Sequence, residues 1–152
     1  YYIRMEILFM KKNTFRGFNK KTKLMYGVYG FETMNKWVFR CNIANEHFRD
    51  LETIHSVKDD LEDYIIMEST GFTDRTGKDI YRGDVVMLRF DIHSKVEFFV
   101  VNQARSGEWR VENNRGKPLV FVDDECVVVG NVYENPELAK ILREEYSYDK
   151  EF

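Results

Sequence analysis

The feature that most constrains the fold of this chain is a pair of glycine-centred turns within residues 70–86. Gly77 and Gly83 bracket a short apolar pair, and an apolar, strand-like run begins directly after Asp84. Glycine adopts a positive φ at almost no steric cost, and an aspartate beside a turn can accept hydrogen bonds from its own backbone. These residues predict a rigid entry into a small β-barrel.

Composition favours strands over helices. The chain has 152 residues, of which 15% are aromatic, with 12 Phe and 9 Tyr. Aromatic and β-branched side chains pack well on the pleated surface of a sheet. A chain of about 150 residues buries roughly 68–70% of its unfolded surface, so no metal or disulfide is needed to stabilise its core.

The first half of the chain shows strand patterns on both sides of one short helix. We predict strands over residues 5–18 and 24–31, and apolar residues that alternate over 37–43 predict a third strand. A short helix is predicted from Asn45, which is a favourable N-cap residue. The strand pattern returns at residues 64–67.

From residue 85 onward the pattern predicts five short strands. Apolar residues alternate over 85–92, 96–100 and 109–111, and further apolar runs occupy 119–122 and 126–129. Turn residues separate each run from the next, which is typical of a β-meander. Such a meander can close into a small SH3-like barrel, and closure removes the exposed strand edges.

A second helix is predicted after the last strand. Asn135 suits the N-cap, Pro136 suits the first helical position, and Glu137 complements the positive end of the helix dipole. The predicted fold is therefore mainly β with minor α content. It consists of N-terminal strands with one short helix, an SH3-like five-stranded barrel and a C-terminal helix.

Three separated blocks of the sequence resemble the YopX family of phage and prophage proteins. The first block is residues 15–26, the second is 66–67 followed by 70–86, and the third is 129–138. Their order and spacing agree with the family across most of the chain. The resemblance implies one YopX-like unit over residues 1–152, and it implies no known biochemical activity.

Within this unit, an internal division into residues 1–68 and 69–152 is an alternative that the strand pattern leaves open. We interpret the residues that carry the resemblance as structural. They are Gly71, Gly77, Gly83, Asp84, Gly130, Asn131, Asn135 and Pro136.

The cytoplasm of a bacterial host is the expected location. No apolar run is long enough to span a bilayer, and the first residues lack the pattern of an export signal. Cys41 and Cys126 lie at alternating strand positions, where a small apolar residue is buried. Two thiols in a chain that is not exported are typically reduced.

No group of residues predicts an enzyme. Asp79 and Asp84 each adjoin a turn, where aspartate usually serves the backbone. The loop after Asp74 lacks the ligand pattern of a calcium loop, and the acids at 123–125 have no spaced partner for a divalent ion. The three histidines are not spaced as metal ligands. We therefore expect no enzymatic activity and no cofactor.

Charge is distributed unevenly, although the net charge is only −3. Residues 123–152 hold nine acids against three cations. Residues 11–23 hold six cations and no acid, namely Lys11, Lys12, Arg16, Lys20, Lys21 and Lys23. Such a separation of positive and negative charge along a chain is found in nucleic-acid-binding surfaces, in subunits that attract each other, and in ordinary solvated turns and helices.

We expect a non-enzymatic phage or prophage accessory protein that associates with itself or with a phage or host protein. The aromatic content supplies apolar surface for such an interface. The alternative is a nucleic-acid-binding module, with Arg16, Lys20, Lys21, Lys23 and Tyr26 as contact residues. Protein association is preferred, because the net negative charge of the chain opposes general affinity for phosphates.

Overall fold

The computed structural model describes residues 15–44, 56–89, 93, 96–113, 119–120, 126–140 and 142. Within these residues the fold is mainly β, as the sequence predicts. The strands are β1 (Phe15–Asn19), β2 (Met25–Glu32), β3 (Trp37–Cys41), β4 (Ser56–Asp60), β5 (Tyr64–Thr73), β6 (Asp79–Tyr81), β7 (Asp84–Leu88), β8 (Glu97–Gln103), β9 (Trp109–Glu112), β10 (Leu119–Val120) and β11 (Val127–Asn131). A 3-10 turn, Leu61–Asp63, links β4 to β5, and a helix covers 136–140.

The chain separates into two compact units, with the division between Ser69 and Thr70. This division lies one residue from the 68/69 boundary considered above. In the first unit, the neighbouring strands follow the order β4-β3-β2-β1-β5, and each of these pairs is antiparallel. Tyr26, Val28, Val38 and Tyr64 form its main buried cluster.

Gly17 allows side chains from two different strands to meet over β1. A Cβ at Gly17 would lie 3.0 Å from Cγ2 of Val28 in β2 and 3.1 Å from Cδ1 of Tyr64 in β5. Because Gly17 has no side chain, the ring of Tyr64 also reaches the ring of Tyr26, with centroids 6.4 Å apart in an edge-on arrangement. Such aromatic pairs contribute about 0.5–1.5 kcal/mol beyond the area that they bury.

In the second unit, β7, β8, β9 and β10 are consecutive neighbours, as expected of a meander, and β11 pairs with β7. One face of this sheet buries Val86, Leu88, Phe99, Val101 and Val111 together with Ile80 and Cys126. The described pairings do not join the outer strands β10 and β11. Closure into an SH3-like barrel therefore stays a prediction.

The two cysteines are buried thiols that are not joined in a disulfide. Cys126 belongs to the core of the second unit, and Cys41 packs against Tyr29 in the first unit. The predicted helix from Asn45 lies outside the described residues, whereas the helix at 136–140 begins where the sequence predicts. Among the described helices, none has the length and apolar character needed to cross a membrane.

Candidate functional site

The β1–β2 turn presents the three lysines that the sequence singled out. Asn19 organises this turn, because its Oδ1 accepts hydrogen bonds from the N–H groups of Lys21, at 2.9 Å, and Thr22, at 3.1 Å. Lys23 has a φ of 61° and donates its N–H to the carbonyl of Asn19. Lys20, Lys21 and Lys23 are all exposed.

The other two predicted contact residues lie in strands rather than on the turn. Arg16 is half-buried as the second residue of β1. Tyr26 is only 7% exposed, and the guanidinium of Arg40 lies 4.3 Å from the centroid of its ring. Tyr26 is therefore poorly placed for the nucleic-acid contact that the sequence predicts, because so little of its ring is exposed, and that contact stays a prediction.

A polar cluster covers the ring of Tyr26. Nε of Arg40 lies 2.5 Å from Oδ2 of Asp59, and the hydroxyl of Tyr64 donates to the same oxygen. Burial alone would raise the pKa of Asp59, but the hydrogen bonds from Tyr64 and Arg40 hold it below its ordinary value. Burial, aided by Asp59, raises the pKa of Tyr64 to about 12. Neither pKa lies near neutrality, where general acid–base catalysts operate.

The glycine turns at residues 70–86 adopt the backbone conformation that glycine favours. Gly71, Gly77 and Gly83 have φ values of 81°, 85° and 85°. Gly83 also connects three parts of the second unit, since its N–H donates to the carbonyl of Val101 and its carbonyl accepts from the N–H of Val132. These glycines shape the main chain around β6 and β7.

Asp84 and Thr70 both serve backbone groups in the same region. Asp84 is fully buried, and its Oδ2 accepts the N–H of Tyr81 at 2.8 Å. The hydroxyl of Thr70 donates to the carbonyl of Ile80 at 2.8 Å and accepts the N–H of Phe72 at 3.1 Å. These contacts agree with the turn-capping role that the sequence predicts for Asp84.

Asp74 accepts four hydrogen bonds, although the sequence named it only as the start of a loop. Its Oδ1 accepts from the N–H groups of Thr76 and Lys78, at 2.8 and 2.9 Å, and from the hydroxyl of Thr76 at 2.6 Å. Its Oδ2 accepts from the N–H of Val128, 54 residues away, at 2.9 Å. Only the local half of this network has a sequence signal, since aspartate at the start of a turn commonly accepts the N–H two residues later.

The pKa of Asp74 reflects this network. Burial favours the neutral carboxyl and raises the pKa. The hydrogen bonds from Thr76, Val128 and Lys78 outweigh burial and lower the pKa below the ordinary value of 3.8. Asp74 is therefore ionised at neutral pH, and its negative charge is satisfied by donors of the turn and of β11.

The closing motif around residue 131 is also held by side-chain contacts to the backbone. Oδ1 of Asn131 accepts from the N–H groups of Tyr133 and Glu134, at 3.1 and 2.8 Å. Oδ1 of Asn135 accepts the N–H of Asn131 at 3.1 Å. Asn135 thus precedes the helix as predicted, but its amide oxygen bonds backward to β11 instead of to an N–H of the first helical turn.

Gly130 lies directly against this asparagine. A Cβ at Gly130 would overlap Oδ1 of Asn135, and it would lie 2.9 Å from Cγ of Asn135 and 3.1 Å from Cδ1 of Leu138. Glycine is therefore required here by space rather than by backbone torsion. Pro136 is exposed at the first position of the helix. An N–H at this position would have no partner within the helix, so proline costs no helical hydrogen bond there.

A cleft of about 290 Å³ lies in the second unit. Apolar side chains from β7, from β11 and from the residue before β8 line it together with two exposed arginines. The lining residues are Arg75, Met87, Leu88, Arg89, Val96 and Val127. No three His, Cys, Asp or Glu side chains lie close enough to hold a metal ion in the part of the chain that the structure describes.

The chain matches the family described as YopX protein over residues 14–140. Its structure is similar to the crystal structure of protein EF1440 from Enterococcus faecalis, with a TM-score of 0.58 and 23% identity, and the match covers 82% of this chain and 96% of that one. At this identity the likeness shows the fold alone, and no curated protein matches the chain. Because the family match covers most of the sequence, this chain belongs to the YopX family.

Proposed function

We propose that this protein is a non-enzymatic phage or prophage accessory protein that acts by association with other proteins in the cytoplasm of a bacterial host. The observation that carries the proposal is an apolar row on the second unit's sheet. Met87 in β7 lies opposite Phe98 in β8 and opposite Val127 in β11. Residues that are direct partners across strands project from the same face of a sheet.

This apolar row is accessible to solvent. Phe98 is 42% exposed, and Met87 and Val127 are half-buried, whereas the opposite face buries Val86 and Phe99. Aromatic side chains together with Met are enriched at protein interfaces, and a few such residues supply most of the binding energy. The apolar row therefore supports a role in protein association.

Replacing Phe98 with serine tests this proposal. Light scattering at a low and a high protein concentration measures self-association, and affinity capture from prophage-bearing cells measures association with other proteins. We expect the F98S variant to lose about tenfold or more in affinity, because truncating an aromatic residue at the centre of an interface costs about 2 kcal/mol or more where it is a hot spot. Two results together would show that the proposal is wrong. The wild type would be monomeric at both concentrations, and every protein that it captures would also be captured by F98S.

The matched control for F98S is Met34→Ser. Met34 is 91% exposed in the β2–β3 turn of the first unit, so this variant also removes an exposed apolar side chain. We expect M34S to associate as the wild type does. Equal losses in both variants would indicate nonspecific hydrophobic adhesion and would contradict the proposal.

Nucleic-acid binding is a second candidate function, favoured by the lysine-bearing β1–β2 turn. Lys23 occupies the left-handed region at a φ of 61°, where a non-glycine residue costs about 1 kcal/mol or more. Against this function, Nζ of Lys21 lies 3.2 Å from a carboxylate oxygen of Asp63, which partly neutralises the turn. The three exposed lysines on one turn support the function, and the local pairing weakens it.

A double charge reversal tests this second function. If the turn binds DNA, Lys20→Glu with Lys23→Glu should lower the affinity at least about tenfold at low salt. The slope of log affinity against log salt concentration should also fall by the amount that about two phosphate contacts contribute. Lys78→Glu, an exposed lysine of the second unit, is the matched control and should bind as the wild type does. Absence of wild-type binding to single- and double-stranded DNA at low salt would exclude this function.

A further inference from the structure

The cleft beside the apolar row has one wall fixed by backbone hydrogen bonds. The N–H of Arg75 donates to the carbonyl of Cys126 at 3.0 Å, and the carboxylate of Asp74 accepts the N–H of Val128. The turn that carries Arg75 is therefore joined to β11 on both sides of Val127. This double attachment fixes the main chain of Arg75 at the cleft, so binding need not order the backbone of the turn.

The opposite wall is formed where β7 ends. Arg89 directly follows Leu88, and Leu88 pairs with Glu97, the first residue of β8. Val96 precedes that residue and also lines the cleft. Met87 and Val127, which belong to the apolar row, provide apolar surface in the cleft. The cleft and the row thus share side chains and form one continuous surface.

The charged side chains that line the cleft are both arginines. Arg75 and Arg89 are exposed, and neither guanidinium has a hydrogen bond or ion pair with another described residue. Glu97, which follows Val96, accepts a hydrogen bond from Nδ2 of Asn113 at 3.4 Å. Guanidinium groups bind carboxylates through two parallel hydrogen bonds, so the two arginines are suited to an acidic ligand.

We infer that this cleft binds an acidic peptide segment of a partner protein, one that carries an apolar side chain between its carboxylates. The inference rests on the proposed function, since it names the chemistry of the partner. The volume of about 290 Å³ is at the lower limit of small-molecule pockets, and it suits one or two side chains better than a large cofactor. The apolar side chain contacts Met87 and Val127 while the carboxylates pair with the arginines.

A peptide titration followed by NMR tests the inference on the full chain. The probe is the end-blocked hexapeptide Glu-Glu-Phe-Glu-Glu-Leu, and its basic counterpart is Lys-Lys-Phe-Lys-Lys-Leu. We expect the acidic peptide to shift the amide signals of Arg75, Met87, Arg89 and Val127, and the basic peptide to leave them in place. Raised salt should weaken binding of the acidic peptide, because the ion pairs between its carboxylates and the two arginines are solvent-accessible.

Charge reversal at the cleft provides the decisive variant. Arg75→Glu with Arg89→Glu should lower the affinity for the acidic peptide about tenfold or more and should make the basic peptide the better ligand. This exchange of preference cannot arise from misfolding, and unchanged signals of the first unit confirm that the variant is folded. Equal binding of both peptides to the wild type, or no shifts at the cleft, would overturn the inference.

The two proposals can fail separately. If Phe98-dependent association persists while the acidic peptide leaves the cleft signals in place, the proposed function stands and the acidic-partner inference is wrong. If the peptide binds the cleft and Phe98-dependent association also occurs, both are supported. If the peptide binds but no such association occurs, the proposed function is wrong and only binding at the cleft stands. If neither association nor peptide binding occurs, both are wrong.

Discussion

Replacing Asp74 with alanine is expected to lower the free energy of unfolding by about 3 kcal/mol. The carboxylate accepts three backbone N–H groups and one hydroxyl, and one of those N–H groups belongs to Val128 in β11. Since Asp74 is only 5% exposed, water cannot readily replace the lost acceptor. Each buried donor that is left without a partner costs about 1–3 kcal/mol, which sets the size of the effect.

Urea unfolding measures this loss, and Asp79→Ala is the matched control. Asp79 is a half-buried aspartate of the neighbouring strand β6 and makes no side-chain hydrogen bond with the described residues. We expect D79A to cost less than about 1 kcal/mol. Comparable losses for D74A and D79A would show that the hydrogen-bond network does not determine the effect.

The stabilisation from Asp74 should also depend on pH. Because the folded pKa lies below the unfolded value of 3.8, the ionised group stabilises the fold fully above that value. This contribution is lost as the pH falls through the folded pKa, where the carboxyl takes up a proton. The difference in stability between the wild type and D74N should therefore be largest near neutral pH and shrink below about pH 4. A difference that stays constant across this range would contradict the assignment.

Replacing Gly130 with alanine is expected to lower the free energy of unfolding by about 2 kcal/mol. The added Cβ would overlap the amide of Asn135, which holds the N–H of Asn131. Asn135 has a short side chain, so it can avoid the new methyl group only by giving up this hydrogen bond. The loss combines steric strain with a broken contact between β11 and the start of the helix.

Gly30→Ala is the control for Gly130→Ala. Gly30 lies in β2, and no described atom lies within 4 Å of a Cβ built there. Because alanine restricts the unfolded chain and suits a strand better than glycine, G30A should be neutral or stabilising by up to about 1 kcal/mol. Thermal unfolding of both variants gives the comparison, and a G130A variant as stable as G30A would show that the packing argument is wrong.

Strand patterns and turn glycines allowed much of the fold to be predicted. The alternation at 96–100 marks β8, because Phe99 and Val101 are buried while Phe98 is 42% exposed. In β7, predicted from 85–92, Val85 and Val86 are both fully buried and only Met87 is more open. The predicted strand at 24–31 follows the alternation less well, since Leu24 is 40% exposed whereas both Met25 and Tyr26 are buried. β2 buries consecutive residues on both of its faces, and a period of two cannot describe such a strand.

The candidate site was predictable only where it is local. Lys20, Lys21 and Lys23 are close in sequence and share one exposed turn. The cleft was not predictable, because Arg75 and Val127 meet through hydrogen bonds between segments about fifty residues apart in sequence. The backward bond of Asn135 was missed for a related reason, since an asparagine before a helix has two sets of N–H donors within reach and local propensity does not distinguish them.

The pairing of β11 with β7 has a consequence for synthesis on the ribosome. β7 ends at Leu88, whereas β11 begins only at Val127. The edge of β7 that pairs with β11 therefore has no partner strand until that later segment has emerged. An unpaired edge presents N–H and C=O groups that recruit strands from other chains. Nascent chains stalled between these two strands should therefore be prone to aggregation and depend on chaperones for protection.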